Sequence, residues 1–349
     1  MPQRKKYRRK LPMNKNINRN TFIKISSLAI AAMAVPLSLK TLAHMHTTAE
    51  KHQFDVIIIG GSYAGLSAAM ALGRSLRKVL IMDHGQACNR YTPHSHNFIT
   101  HDGAEPAAIA QKARAQVLQY DTVTFLEAEA VSARALDLGF EIGTQEGARL
   151  SAKKLIFATG IKDTFPDLEG FEACWGKTII HCPYCHGYEF RGRKTAIWAD
   201  SDRALHLAGL VHNLSKNISI ISQNKAGFKQ EQLEKLQQHQ IPLIDKTVKS
   251  IIHENGSVRK LLFEDGQEER FDAVYAALPF RQQSALPEAL GCVLTESGHI
   301  KVDAFQKTEV PGIYACGDNS SMMRSVANAV YTGNLSGAMV NHELSQESF

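Results

Sequence analysis

Residues Phe54-Asp55-Val56-Ile57-Ile58-Ile59-Gly60-Gly61-Ser62-Tyr63-Ala64-Gly65 decide the fold. The first six form an almost unbroken apolar run, as expected of a parallel strand buried on both faces. A Gly-rich turn follows at once, then the helix-like stretch Leu66-Ser67-Ala68-Ala69-Met70-Ala71-Leu72. Strand, turn and helix in that order are the setting of a dinucleotide fingerprint. Gly60 permits the tight turn and Gly65 lets the helix pack closely on the strand. The helix N-terminus offers free N–H groups to a pyrophosphate. Gly61, Ser62 and Ala64 complete the turn. Ser62 replaces the middle glycine, which makes the backbone's approach to phosphate less close. A second apolar run, Lys78-Val79-Leu80-Ile81-Met82, ends at Asp83, an acid at the spacing that suits a ribose hydroxyl pair. The competing reading is a plain βαβ unit with no ligand.

Two distant motifs choose between dinucleotides. Thr308-Glu309-Val310-Pro311-Gly312-Ile313-Tyr314-Ala315-Cys316-Gly317-Asp318 resembles the second FAD motif of pyridine-nucleotide disulfide oxidoreductases, which places Gly317 and Asp318 at the ribitol chain. Lys154-Leu155-Ile156-Phe157-Ala158-Thr159-Gly160 resembles that family's crossover strand, with Thr159 and Gly160 at the cofactor. Three motifs in order favour FAD over NAD alone.

The chain has 349 residues, enough for about two domains. Its formal charge of +6 is misleading. Residues 1–43 hold ten of the 40 Lys and Arg residues and no acid; the rest carries 30 basic against 34 acidic residues, a net of −4. The basic character belongs to the leader, which removes the charge argument for nucleic-acid binding. Within that leader, Ile25 to Leu39 is an apolar run of signal-peptide length, too short to span a bilayer comfortably. Thr41-Leu42-Ala43 offers a cleavage site, and Arg19-Asn20 stands where a twin-arginine signal carries two arginines. The expectation is export to a periplasm-like compartment. The alternative is a membrane anchor formed by an uncleaved leader.

Cys182-Pro183-Tyr184-Cys185 is a C-x-x-C pair able to form a small reversible disulfide. The flanking His181 and His186 raise a zinc reading. However, residues so close in sequence rarely wrap one tetrahedral ion, and no second C-x-x-C is present. No metal site is expected. Cys88, Cys174, Cys292 and Cys316 read as small buried hydrophobes.

The stretch Cys182-Pro183-Tyr184-Cys185-His186-Gly187-Tyr188-Glu189 resembles the active site of the low-molecular-weight thioredoxin reductase family. It is most similar to the branch containing the gliotoxin and holomycin dithiol oxidases. The resemblance runs from about Phe54 to the C-terminus. It implies that Cys185 lies against the flavin, Cys182 exchanges with substrate, and His186 shuttles the proton where thioredoxin reductases use Asp. It also places Arg324-Ser325-Val326 at the flavin pyrimidine ring, Asn89 and Arg90 near FAD, and two chains in a homodimer. His181 reads as a bystander.

The fold expected is α/β, with two Rossmann-like, three-layer nucleotide-binding domains, the second inserted into the first. The FAD domain takes residues 52–165 and 284–349. The inserted domain, residues 166–283, carries the cysteine pair. Phe165-Pro166 and Leu278-Pro279-Phe280-Arg281 are the crossings. The inserted domain's own nucleotide turn is degenerate. Strand Thr195-Ala196-Ile197-Trp198 leads to Ala199-Asp200-Ser201-Asp202-Arg203-Ala204, with no Gly in the first three turn positions and two acids where a pyrophosphate belongs. The next strand leads to Ser222-Gln223-Asn224, without a cation for a 2′-phosphate. The leading expectation is therefore a dithiol oxidase. It oxidises a small dithiol or a thioredoxin-like protein thiol, with oxygen or another acceptor. The alternatives are a thioredoxin reductase fed by a nicotinamide or ferredoxin, and a non-catalytic flavin redox sensor.

Overall fold

A computed structural model of the chain describes residues 53–349. The leader, with its signal and cleavage readings, lies outside the described residues. The decisive apolar run is β1 (Phe54–Ile59), and the helix after it, α1 (Tyr63–Arg74), begins three residues before Leu66. Ser62 is its N-cap but makes no side-chain capping bond, so the first-turn amides keep their hydrogen-bonding capacity.

The chain continues through β2 (Val79–Asp83), α2 (Pro106–Val117), β3 (Val123–Glu127), β4 (Ala130–Leu136), β5 (Gly139–Thr144), β6 (Arg149–Phe157) and β7 (Ile161–Asp163). Next come α3 (Phe171–Cys174), β8 (Ile179–Ile180), α4 (Pro183–His186), β9 (Thr195–Trp198), α5 (Ser201–Val211), β10 (Ile218–Ser222), α6 (Gln230–Gln238) and β11 (Leu243–Asp245). Then follow β12 (Val248–Glu254), β13 (Ser257–Phe263), β14 (Glu268–Arg270), β15 (Ala273–Ala276), β16 (Phe280–Gln282), α7 (Leu286–Ala289), β17 (Ile313–Ala315) and α8 (Val326–Ser348).

The first sheet runs β3-β2-β1-β6-β5-β4, with β17 also parallel to β6. Its strands β1, β2, β3 and β6 are mutually parallel, while β4 and β5 form an antiparallel flap. Alternation along β1 shows why that strand is apolar throughout. Val56 and Ile58 join a core with Leu66, Leu72 and Val340; Ile57 and Ile59 join another with Phe140, Leu286 and Ile300. A strand covered on both faces has no polar side, and full burial of each Ile or Val contributes roughly 1.5–3 kcal/mol.

The second sheet, β11-β10-β9-β15-β8, is wholly parallel. Ile197 faces Leu207 and Leu236 of α5 and α6, whereas Ala196 and Val274 face the antiparallel β12–β14 layer and the rings of Phe171 and Trp175. The architecture is thus α/β, with two Rossmann-like layered sheets. The chain leaves the first sheet through β7 and returns through β16. These two strands pair antiparallel, joining Ile161–Asp163 to Phe280–Gln282.

Candidate active site at the mouth of the first sheet

At the C-terminal ends of β1, β6 and β17 a cleft of about 430 Å³ opens between the two sheets. Thirteen of the residues expected at the cofactor come together on its wall. Gly60, Gly61, Ser62 and Ala64 supply the turn, Asp83 the end of β2, and Asn89 the following loop. Thr159 and Gly160 come from beyond β6, Gly317 and Asp318 from beyond β17, and Arg324, Ser325 and Val326 from the start of α8. Gly65 does not face the cleft. A Cβ on it would collide with the carbonyl of Gly60, so its part is the close packing of α1 on the turn. Gly60 itself has φ +110° and a backbone carbonyl, Ala158, where a side chain would go. Arg90 turns away: its guanidinium lies 4.4 Å over the Tyr91 ring and bonds the Tyr91 hydroxyl.

Cys182 and Cys185 are joined by a disulfide, with Cα atoms 5.3 Å apart. Pro183 starts the short helix α4, and Cys182 is its N-cap, so the pair is fixed across one helical turn. The two sulfurs are not equivalent. Cys185 lines the cleft, and its Sγ lies 4.0 Å from the carbonyl oxygen of Arg324. Cys182 does not line it; its Sγ accepts the backbone N–H of Cys185 at 3.2 Å. His186 ends α4 and also reaches the cleft. Burial, helped by the charge of His96 and opposed by Glu189, pushes its imidazole down to about 4. It is therefore neutral at pH 7 and free to accept a proton.

Three residues that the sequence did not assign to the site belong to it. Cys88 lines the cleft and accepts from the Arg324 guanidinium at 3.1 Å; burial pushes its thiol up to about 11, against the pull of Arg324. Asp163, the last residue of β7, takes both ends of Arg324 at 2.8 and 2.9 Å. His181, read from the sequence as a bystander, also lines the cleft. Its ring stacks on Trp175, and its buried Nε2 has no hydrogen-bond partner among the described residues. Burial and the charge of Arg324 keep this imidazole neutral.

The wall suits FAD. Uncapped amides at the start of α1 match a pyrophosphate, and Asp83 matches ribose hydroxyls. The left-handed turn at Gly160 (φ +67°) leaves open space on the wall of the cleft that Cys185 also lines. Asp318 is pushed up to about 6 by burial, against Arg324, and needs a hydrogen-bonding partner such as a ribitol chain. The orphan Nε atoms of Arg324 and His181 are buried donors or acceptors that a polar ring edge can meet. Among the described residues no group of three His, Cys, Asp or Glu side chains is placed to hold a metal ion.

The second nucleotide turn is differently furnished. The Asp200 carboxylate accepts the Ser222 hydroxyl, and Asp202 accepts the Gln232 amide at 2.6 Å. Ser201, at φ +47°, donates to the Gly227 carbonyl at 2.7 Å. Side chains of the chain itself thus satisfy one another around the turn.

The family model for pyridine nucleotide-disulphide oxidoreductases matches residues 54–333. Thioredoxin reductase tcpT of Claviceps purpurea (strain 20.1) is 33% identical over 301 residues, covering 83% of this chain and 94% of the relative. The crystal structure of an oxidoreductase from Agrobacterium tumefaciens superposes with a TM-score of 0.79 at 32% identity, over 84% of this chain and 99% of that one. The crystal structure of HlmI gives 0.80 at 28% identity, over 86% and 96%.

Proposed function

The chain belongs to the pyridine nucleotide-disulphide oxidoreductase family, and from that premise we propose that it is an FAD-dependent dithiol oxidase. One contrast carries this reading. The Cys182–Cys185 disulfide reaches the FAD cleft through Cys185, while the side chains of the turn that would serve a nicotinamide are engaged in the Asp200, Ser201 and Asp202 contacts. A pyrophosphate there would have to displace those bonds and sit beside two carboxylates.

Each residue then has a part. The turn Gly60–Ala64, Asp83, Asn89, Thr159, Gly160, Gly317 and Asp318 would hold FAD, and the N-terminus of α8 at Arg324, Ser325 and Val326 would offer positive potential to its ring. A substrate thiolate attacks Cys182 Sγ, the Cys182–Cys185 bond breaks, and Cys185 leaves as a thiolate. The second substrate thiol attacks the mixed disulfide and frees Cys182. The substrate departs as a disulfide, leaving its electron pair on the two cysteines. His186, neutral and beside the pair, accepts a proton during the exchange. FAD held in the cleft would supply the two-electron acceptor that returns Cys182 and Cys185 to the disulfide, with oxygen or another acceptor reoxidising it. The substrate is a small dithiol or a protein thiol pair, and the working form is a homodimer of exported chains.

One observation favours a second reading, the reductase direction fed by a nicotinamide. A hollow of about 520 Å³, lined by Trp198, Asp200, Arg203 and Leu278 among others, lies at the end of the second sheet. Anaerobic titration decides between them. Bleaching of the flavin by dithiothreitol and not by NADPH supports the oxidase; rapid bleaching by NADPH overturns it.

A further inference from the structure

A row of ionisable side chains beside the site has no part in the exchange just described. His96 lines the same cleft as His186. It comes from the loop between β2 and α2, whereas Glu189 lies in the single 3₁₀ turn that follows the cysteine pair. The two ring nitrogens of His96 face two different carboxylates. Nε2 lies 3.7 Å from Glu189 Oε1, and Nδ1 lies 3.6 Å from Asp102 Oδ1. Asp102 is held in place by the backbone N–H of Asn97 at 2.8 Å. Side-chain exposure is 39% at Glu189, 22% at His96 and 69% at Asp102, so the row ends at a carboxylate open to water. The other titratable group facing His96 is His94, its ring 6.5 Å away.

We propose that His96, between Glu189 and Asp102, relays protons from His186 to solvent. The inference rests on the proposed function only in requiring thiol–disulfide exchange at Cys182–Cys185. The exchange leaves protons that such a route can carry. A substrate dithiol brings two protons and two electrons. Exchange breaks the Cys182–Cys185 bond, forms the substrate's S–S bond, and leaves both electrons and both protons with the enzyme. With Cys185 as thiolate, Cys182 holds one proton and the other goes to His186. There it sits on a buried imidazole that His96 disfavours and Glu189 favours. Glu189 can therefore draw the proton across, and an imidazole that receives it at Nε2 can release it at Nδ1 to Asp102. His96 and Glu189 act through His186 and touch no substrate.

The test uses FAD-loaded wild type, His96→Gln and Glu189→Gln, mixed anaerobically with dithiothreitol from pH 6 to 9, with and without imidazole. Flavin absorbance reads the electron transfer, and phenol red reads proton release in the same shots. The expected result is a slowing of about tenfold in His96→Gln. Phenol red should then lag behind the flavin signal, and imidazole should restore both. Glu189→Gln should slow the same step less and shift its pH profile. Unchanged rates, or a loss that imidazole leaves untouched at every pH, would overturn the relay and leave His96–Glu189 a plain ion pair. If dithiothreitol fails to bleach the wild type, it is the oxidase reading that fails. The same variants are then compared in reduction of 5,5′-dithiobis(2-nitrobenzoate) by dithionite-reduced enzyme, with the same imidazole criterion.

Discussion

Arg324 grips both carboxylate oxygens of Asp163, across 161 residues of sequence, at 2.8 and 2.9 Å. The pair ties the end of β7, one of the two crossings between the sheets, to the turn that opens α8. Through its carbonyl, the same arginine touches the sulfur of Cys185. One residue, through its side chain and its carbonyl, therefore registers the crossing, the FAD cleft and the cysteine pair against each other.

Removing this arginine should cost more than a surface ion pair would. The side chain of Asp163 is only 4% exposed and that of Arg324 16%. Arg324→Met leaves a buried carboxylate without its partner, a loss of about 3–5 kcal/mol. Lysine cannot reproduce the two-pronged contact, so Arg324→Lys should recover only part of it. Thermal unfolding of the single variants and of Asp163→Asn/Arg324→Met gives the coupling directly. The double variant should be more stable than Arg324→Met alone.

The unequal placement of the two sulfurs predicts their order of reactivity. Cys185 faces the cleft and Cys182 does not, so FAD bound in the cleft would shield the former. In dithiothreitol-reduced holoprotein, iodoacetamide should label Cys182 at least tenfold faster than Cys185, as read by peptide mass spectrometry. Cys182→Ser and Cys185→Ser should each retain FAD and lose more than about 100-fold in dithiol turnover. Faster labelling of Cys185 would reverse the assigned roles.

Much of this was legible in the sequence, and the exceptions share a cause. β1 could be read because a strand covered on both faces carries its burial as a continuous apolar run. β9 and β10 could be read for the same reason. The helix after β1 started earlier than its apolar stretch suggested, because Tyr63, Ala64 and Gly65 turn straight out of the N-cap Ser62. β6 was longer than its motif: its N-terminal half, with exposed Arg149 and Lys153 alternating with buried Leu150 and Ala152, pairs with the antiparallel flap and carries no continuous apolar run. Cys88, Asp163 and His181 escaped because a lone Cys, Asp or His gains meaning only from neighbours. Those neighbours are distant in the chain, as with Cys88 and Arg324, 236 residues apart. Asp163 had one available signal, an acid three residues after the Ala-Thr-Gly motif and just before a crossing. Arg90 went the other way, since a loop arginine near a cofactor motif can as easily stack on the adjacent tyrosine.

Gly60→Ala isolates the turn from the rest of the site. The residue has φ +110°, and an added Cβ would meet the Ala158 carbonyl, which lies at the end of the neighbouring strand and cannot swing away. Strain from the positive φ alone should exceed about 1 kcal/mol, and the collision adds to it. FAD content after purification, read as the ratio of flavin to protein absorbance, should fall well below that of wild type. Full occupancy in the variant would show that the turn does not set the cofactor's position.

The base of α8 predicts how stability responds to acid. Glu343 accepts hydrogen bonds from Lys154 at 2.6 Å, Lys307 at 2.8 Å and Tyr314 at 2.5 Å. Burial alone would raise this carboxyl, but those three partners outweigh it and hold it down at about 2. A carboxyl lowered on folding stabilises the native state at every pH above its unfolded value, near 4.5. That contribution drains away as pH falls from there toward 2. Glu343→Gln should therefore be less stable than wild type at pH 7 by about 1–3 kcal/mol, because Lys154, 9% exposed, is left with Glu347 alone. The gap between the two proteins should narrow steadily below pH 4.5 in urea titrations. A gap that stays constant down to pH 2.5 would mean that the loss comes from packing and not from the charge on Glu343.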